Sequence, residues 1–196
     1  QAAATGNRRT FTYSCWVKRA KEDAKSIISF GNASGSNDVI LKTESTDLRL
    51  LIMATSVQAQ LNTNAVFRDF SAWYHIVIAV DTTQGTESNR LKMYVNGTQI
   101  TSFSTATYPS QNYDTAFSYD DNYLNIGQNT YYHTSNTYNG GIDGYIAEVH
   151  ILDGVAKAPS DFGETNEDTG QWVPKEYEGG SYGTNGFYGK FVSGAI

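Results

Sequence analysis

Apolar and polar residues alternate with a period of two along most of this chain. From Thr10 to Lys18 the odd positions are Phe11, Tyr13, Cys15 and Val17, and the even positions are polar apart from Trp16. That pattern predicts a half-buried β-strand with one large aromatic on its other face. Strands are also predicted at 27–30, 39–42, 48–53, 57–61 and 65–70. Trp73 to Asp81 contains the near-continuous apolar run Ile76-Val77-Ile78-Ala79-Val80, as in a central strand covered on both faces. Leu91 to Val95 and Gln99 to Phe103 flank Asn96-Gly97, a dipeptide that accepts the positive φ angles of a tight hairpin. Further strands are predicted at 123–127 and 142–152. Two polar, tyrosine-rich stretches, 104–122 and 128–141, read as long loops. One short helical turn is expected near Ala158-Pro159-Ser160-Asp161-Phe162, with Ser160 able to cap it. Strands at this spacing predict an all-β sandwich or barrel. The segment 1–154 would form the sandwich, and 155–196 an extension packing on the same domain.

Composition supports this and removes other classes. Tyr, Phe and Thr suit a pleated surface, while Asn, Ser and Gly suit turns. The net charge is −6, and no basic run exceeds Asn7-Arg8-Arg9, so no cationic face for nucleic acid is evident. The one cysteine, Cys15, cannot close an internal disulfide. No apolar stretch approaches the roughly 20 residues of a membrane-spanning helix. The chain starts at Gln1 with no secretory leader pattern and stops at Ala195-Ile196, so it reads as an excised or processed piece of a longer polypeptide.

Candidate chemistry is sparse. Gly179-Gly180-Ser181-Tyr182-Gly183 matches the Gly-x-Ser-x-Gly pattern of a nucleophilic serine, but no helical pattern follows it and no histidine lies beyond His150. A glycine-rich loop accounts for it. Glycoside hydrolysis needs two carboxylates flanking one bond, whereas Glu148 stands alone in its strand. A structural glutamate bonded to a neighbouring loop is expected there, and no catalytic residue is assigned. His75, His133 and His150 lack the spacing of a metal site. Asp120, Asp121 and Asn122 form the densest oxygen-rich group, able to join a Ca²⁺ site with Asp114, Asp143 or Asp81, or simply to form a solvated loop. Asn32-Ala33-Ser34 and Asn96-Gly97-Thr98 match the glycosylation sequon, which carries meaning only in a eukaryotic secreted protein. Tyr119, Tyr131, Tyr132, His133 and Tyr138 concentrate among Asn, Ser and Thr in the two loops. Rings of this kind stack on sugar faces or anchor protein contacts, and they can also cap the ends of a sandwich.

The succession Phe11-Thr12-Tyr13-Ser14-Cys15-Trp16-Val17-Lys18, Trp73-x-His75 with Asp81, Tyr94-Val95-Asn96-Gly97, Leu124-x-Ile126-Gly127 and Gly144-Tyr145-Ile146-Ala147-Glu148-Val149 resembles the laminin-G-like branch of the concanavalin A-like jelly roll. The later run Gly170-x-Trp172-Val173-Pro174-Lys175-x-Tyr177 and Tyr182-Gly183-x-Asn185-Gly186-Phe187-Tyr188 resembles domains of tailed-bacteriophage structural proteins. The resemblance implies a β-sandwich jelly roll on a virion surface, as tail fibre, tailspike or capsid decoration. Its implied partners are other virion proteins, further copies of the chain and host-surface glycans, without nucleic acid or membrane insertion. In this reading Trp73, His75 and Glu148 are structural and the two tyrosine-rich loops face the partner. A purely architectural subunit and a secreted carbohydrate-binding module are the alternatives.

Overall fold

The computed structural model describes residues 4–32, 37–119, 122–129 and 141–190. Fourteen strands are seen among them: β1 (Thr10–Arg19), β2 (Ser26–Gly31), β3 (Asn37–Glu44), β4 (Asp47–Ala54), β5 (Ser56–Thr63), β6 (Tyr74–Asp81), β7 (Leu91–Val95), β8 (Thr98–Ile100), β9 (Phe103–Thr107), β10 (Tyr123–Ile126), β11 (Gly144–Asp153), β12 (Gly163–Thr165), β13 (Trp172–Pro174) and β14 (Phe187–Gly189). One six-stranded sheet runs β14-β11-β1-β6-β7-β8 and the other β10-β2-β3-β4-β5-β9, with β12 and β13 as a separate ribbon. All strand pairs are antiparallel. The fold is therefore the all-β sandwich expected from the alternation.

The core follows from the period of two. Phe11, Tyr13, Cys15 and Val17 of β1 meet Ile76, Ile78 and Val80 of β6 and Leu41, Leu50, Ile52 and Leu61 of the opposite sheet. Phe11 stacks on Phe117 with ring centroids 4.0 Å apart. Cys15 is fully buried here and unpaired, and burial pushes its thiol up to about 12, so it acts as a small apolar core group.

β6 is covered on both faces, as its apolar run predicts. Its outward Val77 packs with Leu152 and Phe162 in a second, smaller core. That core exists because residues 155–190 cross the outer face of the first sheet. Thr12 ties this strap down: its hydroxyl donates to the carbonyl of Val155 at 2.7 Å and accepts the N–H of Lys157 at 2.8 Å. Further along, the Asp153 carboxylate accepts from the Asn7 N–H, the Ser118 hydroxyl and the Asn185 N–H. One buried aspartate thus joins the start of the chain, an internal loop and the strap.

Three local expectations are corrected. Residues 65–70 form a loop, not a strand, because the buried Arg19 guanidinium takes the Phe67 carbonyl at 2.8 Å and the Phe67 N–H bonds Thr46. The strand expected over Gln99–Phe103 divides at 101–102, with β8 staying in the first sheet and β9 joining β5 in the second. The tyrosine-rich stretch 104–122 therefore opens as a strand. The turn at Pro159–Asp161 is a single 3₁₀ turn whose cap is Ala158, not Ser160, and the Asp161 carboxylate accepts the Ala158 N–H.

Candidate functional site

All three tryptophans of the chain converge on the outer face of the first sheet. Trp16 reaches it because it occupies an outward position of β1, directly opposite His75 of β6. Trp73 stands just before β6 and is 39% exposed. Trp172 arrives from β13, whose ribbon is turned by Asn166: its side-chain oxygen accepts the N–H groups of Asp168 and Thr169. Together with Asn96, Glu148 and Gln171 they line an open cavity of about 640 Å³.

His75 organises two of the indoles. Its ring lies parallel to Trp16 at 5.0 Å and within 25° of the Trp172 plane. The indole N–H of Trp172 donates to Nδ1 of His75 at 2.9 Å, and Nε2 lies 2.8 Å from the Ser14 hydroxyl. An indole nitrogen can only donate, so Nδ1 is the acceptor and the proton resides on Nε2, donated to Ser14. Burial, then the nearby His150, pushes the pKa of His75 down to about 4, so the imidazole holding this platform is neutral at pH 7.

Two glycines make room for Trp172. A Cβ on Gly97 would stand 2.8 Å from its ring, and one on Gly163 2.7 Å from it. Gly97 also has φ +80° in the hairpin turn, with Asn96 at φ 48°. Asn96 fastens this turn to β6, its side-chain oxygen accepting the backbone N–H of His75 at 2.8 Å. The Asn-Gly pair thus both turns the hairpin and forms a seat for the indole.

Glu148 enters the cavity through a backbone irregularity. In the β1–β11 pairing Ser14 faces His150 while Trp16 faces Ala147, so β11 carries one extra residue. Glu148 sits in this bulge with φ 49°, a left-handed conformation costing a non-glycine residue about 1–2 kcal/mol. Its carboxylate accepts the hydroxyl of Tyr188 from β14. Partial burial and then that bond raise the Tyr188 phenol above its ordinary range, keeping it a donor.

On the other side of Glu148 lies a second cavity of about 510 Å³, lined by His150, Tyr177, Tyr182 and Tyr188 with Lys175, Glu176 and Lys190. Tyr188 stacks on His150 at 4.5 Å, and the Tyr182 hydroxyl is 3.1 Å from His150 Nδ1. Burial lowers His150 to about 4. The Ser181 hydroxyl of the Gly-x-Ser-x-Gly stretch accepts the Gly183 N–H, a loop role.

The residues expected to bind ligand fall elsewhere. Tyr131, Tyr132, His133 and Tyr138 lie outside the described residues, as do Asp120 and Asp121. Tyr119 lies under the Arg8 guanidinium, 4.4 Å from its ring centroid, and is not on the lining of the tryptophan cavity. Asn122 is buried and donates its amide to the Ala116 carbonyl at 2.7 Å. The suggested Ca²⁺ partners are engaged too: Asp114 by Arg9, Asp143 by Lys21, and Asp81 by Thr83 and Gln84. Among the described residues no three His, Cys, Asp or Glu side chains gather in a way that could hold a metal ion. Trp73 and Glu148, read from sequence as structural, both face the cavity. Trp16 as the lone aromatic at an outward position was the sequence signal for this site; its meeting with Trp73 and Trp172 depends on the strap.

The family described as the concanavalin A-like lectin/glucanases superfamily matches residues 2–160. The chain belongs to this superfamily. No curated protein sequence matches it. Among solved structures, the chain is similar to the CBM40 of the Ruminococcus gnavus IT-sialidase, at 14% identity and TM-score 0.57, over 82% of this chain and 92% of that one. Domain 4 of the Geobacillus stearothermophilus arabinanase AbnA, in complex with arabinotriose, aligns at 17% identity and TM-score 0.55, over 81% and 66%. Mouse laminin α1 LG4-5 aligns at 12% and TM-score 0.53, over 79% and 42%. At these identities the likeness shows the fold, and activity has to be argued from the site.

Proposed function

We propose that this superfamily member is a non-catalytic carbohydrate-binding module whose site is the tryptophan cavity. The carrying observation is the convergence of Trp16, Trp73 and Trp172 around an open cavity edged by Asn96, Gln171 and Glu148. Apolar ring faces with a few placed polar groups are what a pyranose presents a need for: its C–H face stacks and its hydroxyls bond at the edge. Two of the solved relatives are a sialidase carbohydrate-binding domain and an arabinanase domain with a bound arabinotriose, which supports a sugar-binding use of the same fold. Among the described residues lining this cavity Glu148 is the only carboxylate, so binding fits it better than hydrolysis by a carboxylate pair.

The finer reading places the module on the surface of a tailed-phage particle, contacting host glycans beside other virion proteins. Its support is the run from Trp172 to Tyr188, whose motifs resemble phage structural proteins and whose first residues, Trp172, Val173 and Pro174, line the site. A glycan array with the wild type and Trp73→Ala tests the first part. Binding is expected, and Trp73→Ala should weaken it about tenfold or more, the loss of roughly 1.4 kcal/mol of stacking. Absence of binding to every glycan would favour an architectural subunit, and sugar release from a bound glycan would overturn the non-catalytic reading. Labelling of intact particles with an antibody to the chain tests the location.

A further inference from the structure

We propose that the two cavities flanking Glu148 form one extended cleft for a neutral, hydroxyl-rich oligosaccharide, with Glu148 as the residue that selects against acidic sugars. The inference rests on the reading of the tryptophan cavity as a glycan site and names the class of glycan it takes.

The first argument is the backbone of Glu148. A positive φ at a β-bulge is usually left to glycine, which adopts it freely. Here a glutamate holds φ 49° and projects its carboxylate between the two cavities. Strained positions of this kind concentrate where a side chain must be aimed, and this one is an observed outlier. The strain has no packing return in the core, since the neighbouring Val149, not Glu148, points inward.

The second argument is charge. Among the described residues lining the tryptophan cavity, Glu148 alone is charged; the others are Trp, Asn, Gln, Ala, Val and Pro. An anionic sugar entering there would meet a carboxylate with no lining cation to offset it, whereas neutral vicinal hydroxyls would donate to it. In the second cavity Lys175 and Lys190 stand against Glu148 and Glu176, so its lining holds two cations and two anions. Neither half favours an acid.

The third argument is continuity. Glu148 and Pro174 line both cavities, and each side has its own aromatic surface: indoles on one, Tyr177, Tyr182 and Tyr188 on the other. A chain of several sugar units can therefore stack on both while its hydroxyls reach Glu148. Tyr188, whose hydroxyl is bonded to that carboxylate, couples the halves.

The test is calorimetric titration with neutral gluco-, galacto- and manno-oligosaccharides of one to six units, and with their uronic-acid or sialylated counterparts. Affinity should rise with length and favour neutral over acidic chains at least tenfold at low salt. E148Q should weaken the neutral oligosaccharides about tenfold and erase the discrimination. Tyr188→Ala should weaken the longer chains while sparing the shortest. Glu148→Gly separates binding from folding: it relieves the backbone and should lose the ligand without lowering Tm. A wild type that binds glycans, with E148Q unchanged in affinity and in discrimination, would overturn this inference and leave the tryptophan site standing. A fall in Tm for Glu148→Gly would likewise overturn it by marking the residue as structural. No binding of any neutral or acidic probe would overturn both.

Discussion

The outer faces of the two sheets solve the same problem in opposite ways. On β3, β4 and β5 the outward residues Lys42, Glu44, Arg49, Gln60 and Asn62 form a cross-strand ladder beside the buried outward pair Ile40 and Leu51. Glu44 accepts from Lys42 at 2.6 Å and from Arg49 at 2.8 Å, Arg49 reaches Asn62 at 3.2 Å, and Gln60 reaches Asn62 at 3.0 Å. Those groups satisfy one another. On β1, β6 and β11 the outward residues include Trp16, His75, Val77, His150 and Leu152, which need a cover. Residues 155–190 supply one, but it is incomplete, and the uncovered part is the aromatic cavity. A self-satisfied polar ladder offers a partner little, whereas a partly covered aromatic face has surface and hydrogen-bonding groups still to give.

The sharpest way to separate the faces is acid. His75 and His150 are held neutral under the strap with pKa values near 4, while an unfolded histidine titrates near 6.5. The unfolded chain therefore binds more protons between those values, and stability falls as pH drops from about 6.5 to 4. The expected loss is on the order of 3 kcal/mol for His75 by pH 4, with a smaller share from the less enclosed His150, read from urea unfolding across that range. Glu44 on the ladder is held below its ordinary value of 4.5, so its contribution persists until lower pH. A flat profile from pH 6.5 to 4.5 would break the comparison.

Trp172→Ala comes next. It removes the His75 hydrogen bond and the ring seated against Gly97 and Gly163, at an expected cost of about 3 kcal/mol in denaturant unfolding. Gly97→Ala should cost about 1–2 kcal/mol, because a side chain there meets both a positive φ and the indole. The smallest effect belongs to the ladder. Arg49→Ala should change stability by about 1 kcal/mol or less, since its ion pair is partly exposed and Glu44 keeps Lys42 as a partner. A larger cost for Arg49→Ala than for Trp172→Ala would invert the picture of the two faces.

Much of the sandwich was legible in the pattern. Phe11, Tyr13, Cys15 and Val17 alternate because one face of β1 is core, and Ile76 to Val80 run together because β6 is covered twice. Asn96-Gly97 announced its hairpin through the positive φ it tolerates. The loop at 65–70 was not legible, because its backbone is satisfied by Arg19, a residue far away in sequence. The site was legible only in fragments. Trp16 showed as an outward aromatic and Glu148 as a lone acid in a strand. Neither position reveals that β11 bulges at Glu148 or that Trp172 returns 156 positions after Trp16 to share its cavity.

What the sequence determines by itself is local: the period of two and the turns that need glycine or asparagine. These depend on neighbouring residues and on backbone sterics, which act over a few positions. Tertiary structure decided which outward face would be closed over, which tautomer His75 holds, and where three indoles meet. Those outcomes depend on contacts between segments far apart in the chain, where the gain in buried surface and paired hydrogen bonds is set by geometry that no single segment contains.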